Sequence, residues 1–269
     1  MEKKIGFIGT GNMGGALARA AAVTVAPERI FLANKTAAKA QALALELGCN
    51  AVDVVQAAQC ADLIFLGVKP QMMADLLAQL EPVLASRETP FTLVSMAAGL
   101  TMAQIQMMAG ADYPVIRIMP NTPVAVGQGV VLYDTTENVA ADALQCFLVS
   151  MAGAGLVDRL PEKLIDAGSA VAGCGPAFAC LFLEALADGG VACGLPRAKA
   201  MEYAAQMLLG TATLAMKTGQ HPGQMKDAVC SPGGSTIAGV GTLEQHGFRA
   251  AAMEAVTAAW ARTRELGKE

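Results

Sequence analysis

Hydrophobic patterning divides the chain into two textures. Through residues 1–160, short apolar runs recur between longer alanine-rich stretches. Lys4–Ile8, Arg29–Asn34, Asp62–Pro70, Phe91–Gly99 and Pro114–Pro123 read as strands, each ending in a small or proline-rich turn. Gly129–Tyr133 and Leu156–Asp158 add two more around a helix near Ala140–Ala152. Thr36–Leu47 and Met72–Leu84 carry apolar residues at helical spacing. Strands alternating with helices predict a parallel, doubly wound α/β sheet.

The texture changes at Pro161. From there no strand pattern recurs, and the segments Pro176–Gly194, Pro196–Gly219, Ser235–Gly247 and Phe248–Leu266 repeat apolar residues every three or four positions. Pro176 and Pro196 mark first turns, and Gly194 and Gly219 mark ends. The prediction is an all-α second domain over residues 161–269. Its helices have few charged faces, so a partner subunit is expected to cover them.

Composition sharpens this picture. Hydrophobic residues make up 54% and charged residues 16%, an apolar balance that favours subunit contacts. The longest charge-free run, Thr89–Ala111, is broken by Thr92, Ser95, Thr101, Gln104 and Gln106. No segment therefore reads as a clean membrane span of about 20 apolar residues. Met1–Lys4 leads into a strand rather than a signal peptide. A net charge of −4 without a basic run argues against nucleic-acid binding. Seven cysteines, odd in number and without a CxxC pair, suit reduced thiols in a cytoplasmic protein and no metal site.

Two glycine-rich turns carry the candidate chemistry. Gly9-Thr10-Gly11-Asn12-Met13-Gly14 follows a strand and opens a helix. That GxGxxG context predicts a dinucleotide pyrophosphate on the helix N-terminus. At the end of the second strand stand Asn34, Lys35 and Thr36, with no carboxylate. All three can donate to a 2′-phosphate, so NADPH is expected over NADH, with NADH as the alternative. Ser231-Pro232-Gly233-Gly234-Ser235-Thr236 precedes a second helix. Successive amides and the helix dipole there make a small anion site, of a size and charge for a substrate carboxylate. A plain helix cap through Ser235 or Thr236 is the competing structural reading.

The run from Lys163 to Ala200, then His221 to Leu266 with its SPGGST, closely resembles the C-terminal domain of pyrroline-5-carboxylate reductases. Upstream, IGFIGTGNMGGAL, GVKPQ, AAGLT and RIMPNTP match that family in order, so the resemblance spans Lys4 to about Leu266. It implies an N-terminal Rossmann-type doubly wound sheet, an all-α C-terminal dimerisation domain, and an active site shared across a homodimer. Such dimers can assemble further, into a decamer of five. It also implies hydride transfer from NAD(P)H to the imine carbon of 1-pyrroline-5-carboxylate, giving L-proline. By position, Ile8 through Met13 would line the pyrophosphate, and Asn34 would meet the adenosine ribose or its phosphate. Val68, Lys69, Pro70, Ala97 and Asn121 would bracket the nicotinamide side. Ser231, Gly233, Gly234, Ser235 and Thr236 would hold the substrate carboxylate, with Thr236 near the ring nitrogen.

The residue inventory agrees with imine chemistry. A ketone reductase needs an acid for the developing alkoxide, yet His221 and His246 are the chain's two histidines and neither sits in a catalytic pattern. A cyclic imine can arrive already protonated, so the site mainly positions it and excludes water. The sequence departs from the family at Cys174, where serine is usual, at Phe178 for tyrosine, and at Val54, where many relatives carry a ribose-binding asparagine. Two rivals share the plan. A β-hydroxyacid dehydrogenase would rely on a lysine such as Lys163, but the apolar GSAVAGCGPAF run follows it. A non-catalytic NADP-binding module would have no need of SPGGST.

Overall fold

The computed structural model describes residues 3–266. Met1 and Glu2, expected to lead into the first strand, and Gly267–Glu269, at the end of the expected helical domain, lie outside them. Chain contacts define two compact units, Met1–Cys174 with Ala259–Glu269, and Gly175–Ala258.

In the first unit, strands and helices alternate in chain order: β1 (Ile5–Ile8), α1 (Asn12–Ala22), β2 (Ile30–Ala33), α2 (Ala37–Leu47), β3 (Asn50–Ala51), α3 (Val54–Cys60), β4 (Leu63–Leu66), α4 (Met73–Ala85), β5 (Thr92–Ser95), α5 (Met102–Ala109), β6 (Val115–Pro120), β7 (Gly129–Thr135), α6 (Ala141–Met151), β8 (Gly155–Arg159) and α7 (Glu162–Ala172). One eight-stranded sheet runs β3-β2-β1-β4-β5-β6-β7-β8. All neighbours are parallel except β6 and β7, which the short connection through Pro123 joins antiparallel. The doubly wound parallel sheet is as expected, with this one antiparallel neighbour added to it. A short link reverses the chain, whereas a parallel neighbour needs a long crossover.

Alternate strand residues feed the two faces. Phe7, Phe65, Leu32 and Tyr133 pack with Leu17, Leu43 and Phe147 on one side. Ile8, Ile64, Leu66 and Leu93 pack with Leu77, Leu80 and Ile105 on the other. Continuous apolar strands are what a sheet covered on both faces requires. Phe7 stacks on Phe65 with ring centroids 4.5 Å apart. The thiols of Cys49, Cys60 and Cys146 are half-buried, and desolvation pushes each above the ordinary thiol range.

Helix α7 belongs to this unit because buried polar groups fasten it to the sheet. Arg117 on β6 pairs with Glu162 at 3.4 Å and Asp166 at 2.6 Å. Ile165 is fully buried, and a Cβ on Gly168 would fall 2.5 Å from Leu132.

The second unit holds α8 (Gly175–Ala192), α9 (Arg197–Thr218), α10 (Pro222–Ala228), α11 (Ser235–Gln245) and the start of α12 (Phe248–Leu266). Its buried hydrophobic residues are Ala187, Ala200 and Ala204. Leu181, Tyr203, Met207, Leu209, Met216 and Met253 are all more than two-fifths exposed in the single chain. Three alanines cannot offset the conformational entropy of these helices, so the unit is built to be covered. Glu162–Ala192 is long and apolar enough to cross a membrane by length and composition alone, a stretch the sequence pattern did not single out.

Candidate active site

Gly9 leaves β1 with φ at 100°, a left-handed conformation that favours glycine. A Cβ on it would lie 2.5 Å from the carbonyl oxygen of Gly67, the residue after β4. Strand order reverses between β1 and β4, so these glycines meet at the switch point where open α/β sheets hold ligands. A Cβ on Gly14 would lie 2.0 Å from the Gly9 oxygen, so α1 begins hard against the turn. Gly11 differs. Its φ of −72° suits any residue, and a Cβ there would meet no protein atom within 4 Å. Nothing inside the chain requires glycine at Gly11, but a ligand lying on the uncapped start of α1 would. Beside it, the Thr10 hydroxyl is buried with no hydrogen-bond partner among the described residues. These features fit a dinucleotide pyrophosphate.

The other expected cofactor residues divide by how they are held. The Asn34 side chain accepts from Thr10 N at 3.1 Å and donates to Thr36 O at 3.2 Å, bracing the turn against the end of β2. Asn12, Lys35 and Lys69 are exposed. Met13 and Val68 are half-buried, and Pro70 opens a short turn of 3-10 helix after Lys69. Ile8 and Ala97 are almost wholly buried in the core, leaving only their backbones to face a ligand. Asn121 is buried, with both ends of its amide committed: Nδ2 donates to Ala172 O at 3.0 Å, and Oδ1 accepts from Val130 N at 2.8 Å. It ties the turn after β6 to the end of α7. Near the family's missing asparagine, Asp53 forms a capping box with Gln56 at the start of α3. Asn50 donates to Glu28 O and Ile30 O. Lys163 is exposed on α7.

A cleft of about 370 Å³ runs from Thr10, Gly11 and Asn12 between α1 and α2, past Gly15, to Arg19, Lys39, Leu43 and Glu46. Arg19 and Glu46 form a two-pronged pair with both contacts at 2.7 Å. That hydrogen bonding holds Arg19 above, and Glu46 below, their ordinary ranges. Sequence reasoning missed Gly67, Arg19 and Lys39. A glycine directly before VKP and a cation in the first turn after Thr36 were the available signals.

In the second unit, Gly233 has φ at 70°, again favouring glycine. A Cβ on Gly234 would lie 2.5 Å from Ser231 Oγ, and Gly234 N donates to Ser231 O at 3.0 Å. Gly234 itself is the N-cap residue of α11, and no side chain caps the helix. The capping reading of Ser235 and Thr236 is thereby set aside: both lie inside the first turn, exposed, beside unfilled amides. Among the described residues, no group of three His, Cys, Asp or Glu could hold a metal.

A glycine that only a ligand explains, at the switch point of a doubly wound sheet, is the mark of a Rossmann-type dinucleotide-binding protein. The comparisons narrow the class. A family model for NADP oxidoreductases, coenzyme F420-dependent, matches residues 4–99, and one for pyrroline-5-carboxylate reductase dimerisation matches residues 162–266. The pyrroline-5-carboxylate reductase of Escherichia coli (strain K12) is 40% identical over 275 residues, covering 100% of both chains. That of Synechocystis is 42% identical over 272 residues, again covering 100% of both. A crystal structure of Plasmodium falciparum pyrroline carboxylate reductase with NADP bound matches with a TM-score of 0.87 and 32% identity, covering 99% of each chain. The chain belongs to the pyrroline-5-carboxylate reductase family, which are NAD(P)H-dependent oxidoreductases.

Proposed function

We propose that this chain reduces the cyclic imine of 1-pyrroline-5-carboxylate to L-proline, with NADPH the preferred reductant and NADH the alternative. One observation carries the reading. The glycine-rich start of α11 is uncapped, which leaves its amides and dipole for a small anion that the dinucleotide site cannot account for. A substrate carboxylate is that anion.

The residues then have distinct work. Ile8 through Gly14 hold the pyrophosphate by backbone amides, with the Thr10 hydroxyl turned to it. Asn34 and Lys35 stand at the adenosine end. Val68, Lys69, Pro70 and Ala97 line the nicotinamide side, and Asn121 acts there by holding the neighbouring turn. Ser231, Gly233, Gly234 and Ser235 take the substrate carboxylate. Thr236 is the catalytic residue, its hydroxyl bonded to the ring nitrogen and fixing which face is attacked. Bound NADPH supplies the hydride. With the imine nitrogen protonated beforehand, hydride reduction at the imine carbon would give the amine of L-proline, and the chain's own part is to bind and orient the substrate. Residues 161–269 serve as the dimerisation part, in a homodimer that can build a decamer of five dimers, in the cytoplasm.

The test is the loss of near-ultraviolet absorbance of the reduced nicotinamide when the protein meets NADPH and the imine, with NADH in parallel. Oxidation faster with NADPH is expected. Binding of NADPH without oxidation would overturn the assignment of substrate. Asn34→Asp keeps the acceptor for Thr10 N but sets a carboxylate toward Thr36 O and the 2′-phosphate. It should weaken NADPH by about tenfold more than NADH. An unchanged preference, read by equilibrium titration, would remove Asn34 from the phosphate.

A further inference from the structure

The sequence singles out Lys35 as the cation for the 2′-phosphate, but the cleft beside the glycine turn is lined instead by Lys39. We infer that Lys39 is the residue that discriminates NADPH from NADH, an inference that rests on the dinucleotide reading of the same turn. Three observations lead there.

The first is charge. The ionic side chains on the cleft are Arg19, Lys39 and Glu46. Glu46 grips Arg19 through both its oxygens, so those two charges answer each other. Lys39 makes no ion pair or hydrogen bond through its ammonium among the described residues, which leaves one uncompensated positive charge on the cleft.

The second is the helix that carries it. Lys39 sits in the first turn of α2, whose N-cap residue Thr36 makes no side-chain capping bond. The Lys39 amide returns to Thr36 O at 3.0 Å, whereas the amides of Ala37 and Ala38 have no backbone acceptor among the described residues. An anion held here meets two open amides, the positive end of an 11-residue helix and an exposed ammonium.

The third places a nucleotide at the other end. Thr10 and Gly11 head the same cleft, and they bring the buried unpartnered hydroxyl and the glycine with open side-chain space. With the pyrophosphate on α1, the adenosine ribose falls toward the end of β2, and its 2′ position toward the start of α2. The anion that distinguishes the two cofactors is then a phosphate monoester reached by Lys39. Lys35, exposed and off the cleft lining, contributes only long-range attraction.

The experiment is equilibrium titration of the full-length protein with NADPH, NADH, adenosine 2′,5′-bisphosphate and AMP, by tryptophan or ligand fluorescence and by calorimetry. Lys39→Met should weaken NADPH and the bisphosphate by about tenfold while NADH and AMP change less than about twofold. Lys35→Met should change all four less than about threefold, and Lys39→Arg should restore most of the loss. Equal weakening of all four ligands by Lys39→Met would assign Lys39 to the fold, and a selective loss from Lys35→Met alone would overturn the inference. Because AMP and the bisphosphate need no imine, the outcome stands apart from whether the proposed substrate is turned over.

Discussion

Thr236→Ala should lower imine turnover by about a hundredfold, the loss typical of one donor aimed at a reacting centre, while NADPH affinity should stay within about twofold. The split follows from where Thr236 stands. It occupies the second position of α11, exposed and without a capping role, so its removal leaves the Gly233–Gly234 turn and the helix intact. Alanine is the better helix former, so thermal stability should hold or rise slightly. What disappears is a hydroxyl beside the proposed carboxylate site, one that could bond the ring nitrogen and fix which face of the imine is presented. A misoriented imine still binds through its carboxylate, so the loss should fall on kcat more than on KM. Thr236→Ser, which keeps the hydroxyl, should recover most of the rate. Loss of NADPH affinity in step with turnover would take Thr236 out of the active site and return it to the fold.

What the sequence disclosed depended on the range of the interaction. The two glycine turns were legible because each is a local device in which spacing, strand and helix suffice. The doubly wound plan was legible because strands buried on both faces leave uninterrupted apolar runs, as in LIFL at Leu63–Leu66. Strand β3 escaped because two residues make no pattern. Helix α3 escaped because seven residues carry little pattern, even with an Asp53–Gln56 capping box at their start. The reversal between β6 and β7 is a property of a link through Pro123, not of either strand's residues. Gly67, Arg19 and Lys39 were hidden for a different reason. Each acquires meaning from a neighbour far along the chain: Gly67 from the Gly9 backbone, Arg19 from Glu46, and Lys39 from Thr10 and Gly11 across the cleft. Asn121 read as a nicotinamide neighbour because of its motif. Only its contacts with Ala172 and Val130 display its holding role.

The same long-range logic makes Arg117 a side chain whose loss should cost the first unit heavily. It is 2% exposed at the centre of β6, in contact with Glu162 and Asp166 one turn apart on α7. Glu162 also accepts from Met102 N at 2.7 Å, and its own amide donates to Asp134 at 2.7 Å. One guanidinium thus draws the start of α5, the β7 edge and α7 to the same point. Arg117→Met keeps the volume and strands two carboxylates, each about a quarter exposed, beside an apolar side chain. Removing one partner of a buried pair costs about 3 kcal/mol, to be read by urea unfolding at fixed protein concentration, since subunit association contributes to the measured stability. Arg117→Lys, which keeps charge but not the fork, should lose less. Adding Asp166→Leu to Arg117→Met should recover part of the loss, because the surviving carboxylate is then Glu162, which keeps the hydrogen bond from Met102 N. A loss below about 1 kcal/mol for Arg117→Met would mean that α7 is held by Ile165 and Gly168 packing alone. Asn121 bonds the last residue of this same helix, so a loosened α7 should also loosen the turn after β6. Arg117→Met should therefore weaken NADPH as well as stability, whereas Thr236→Ala should weaken neither.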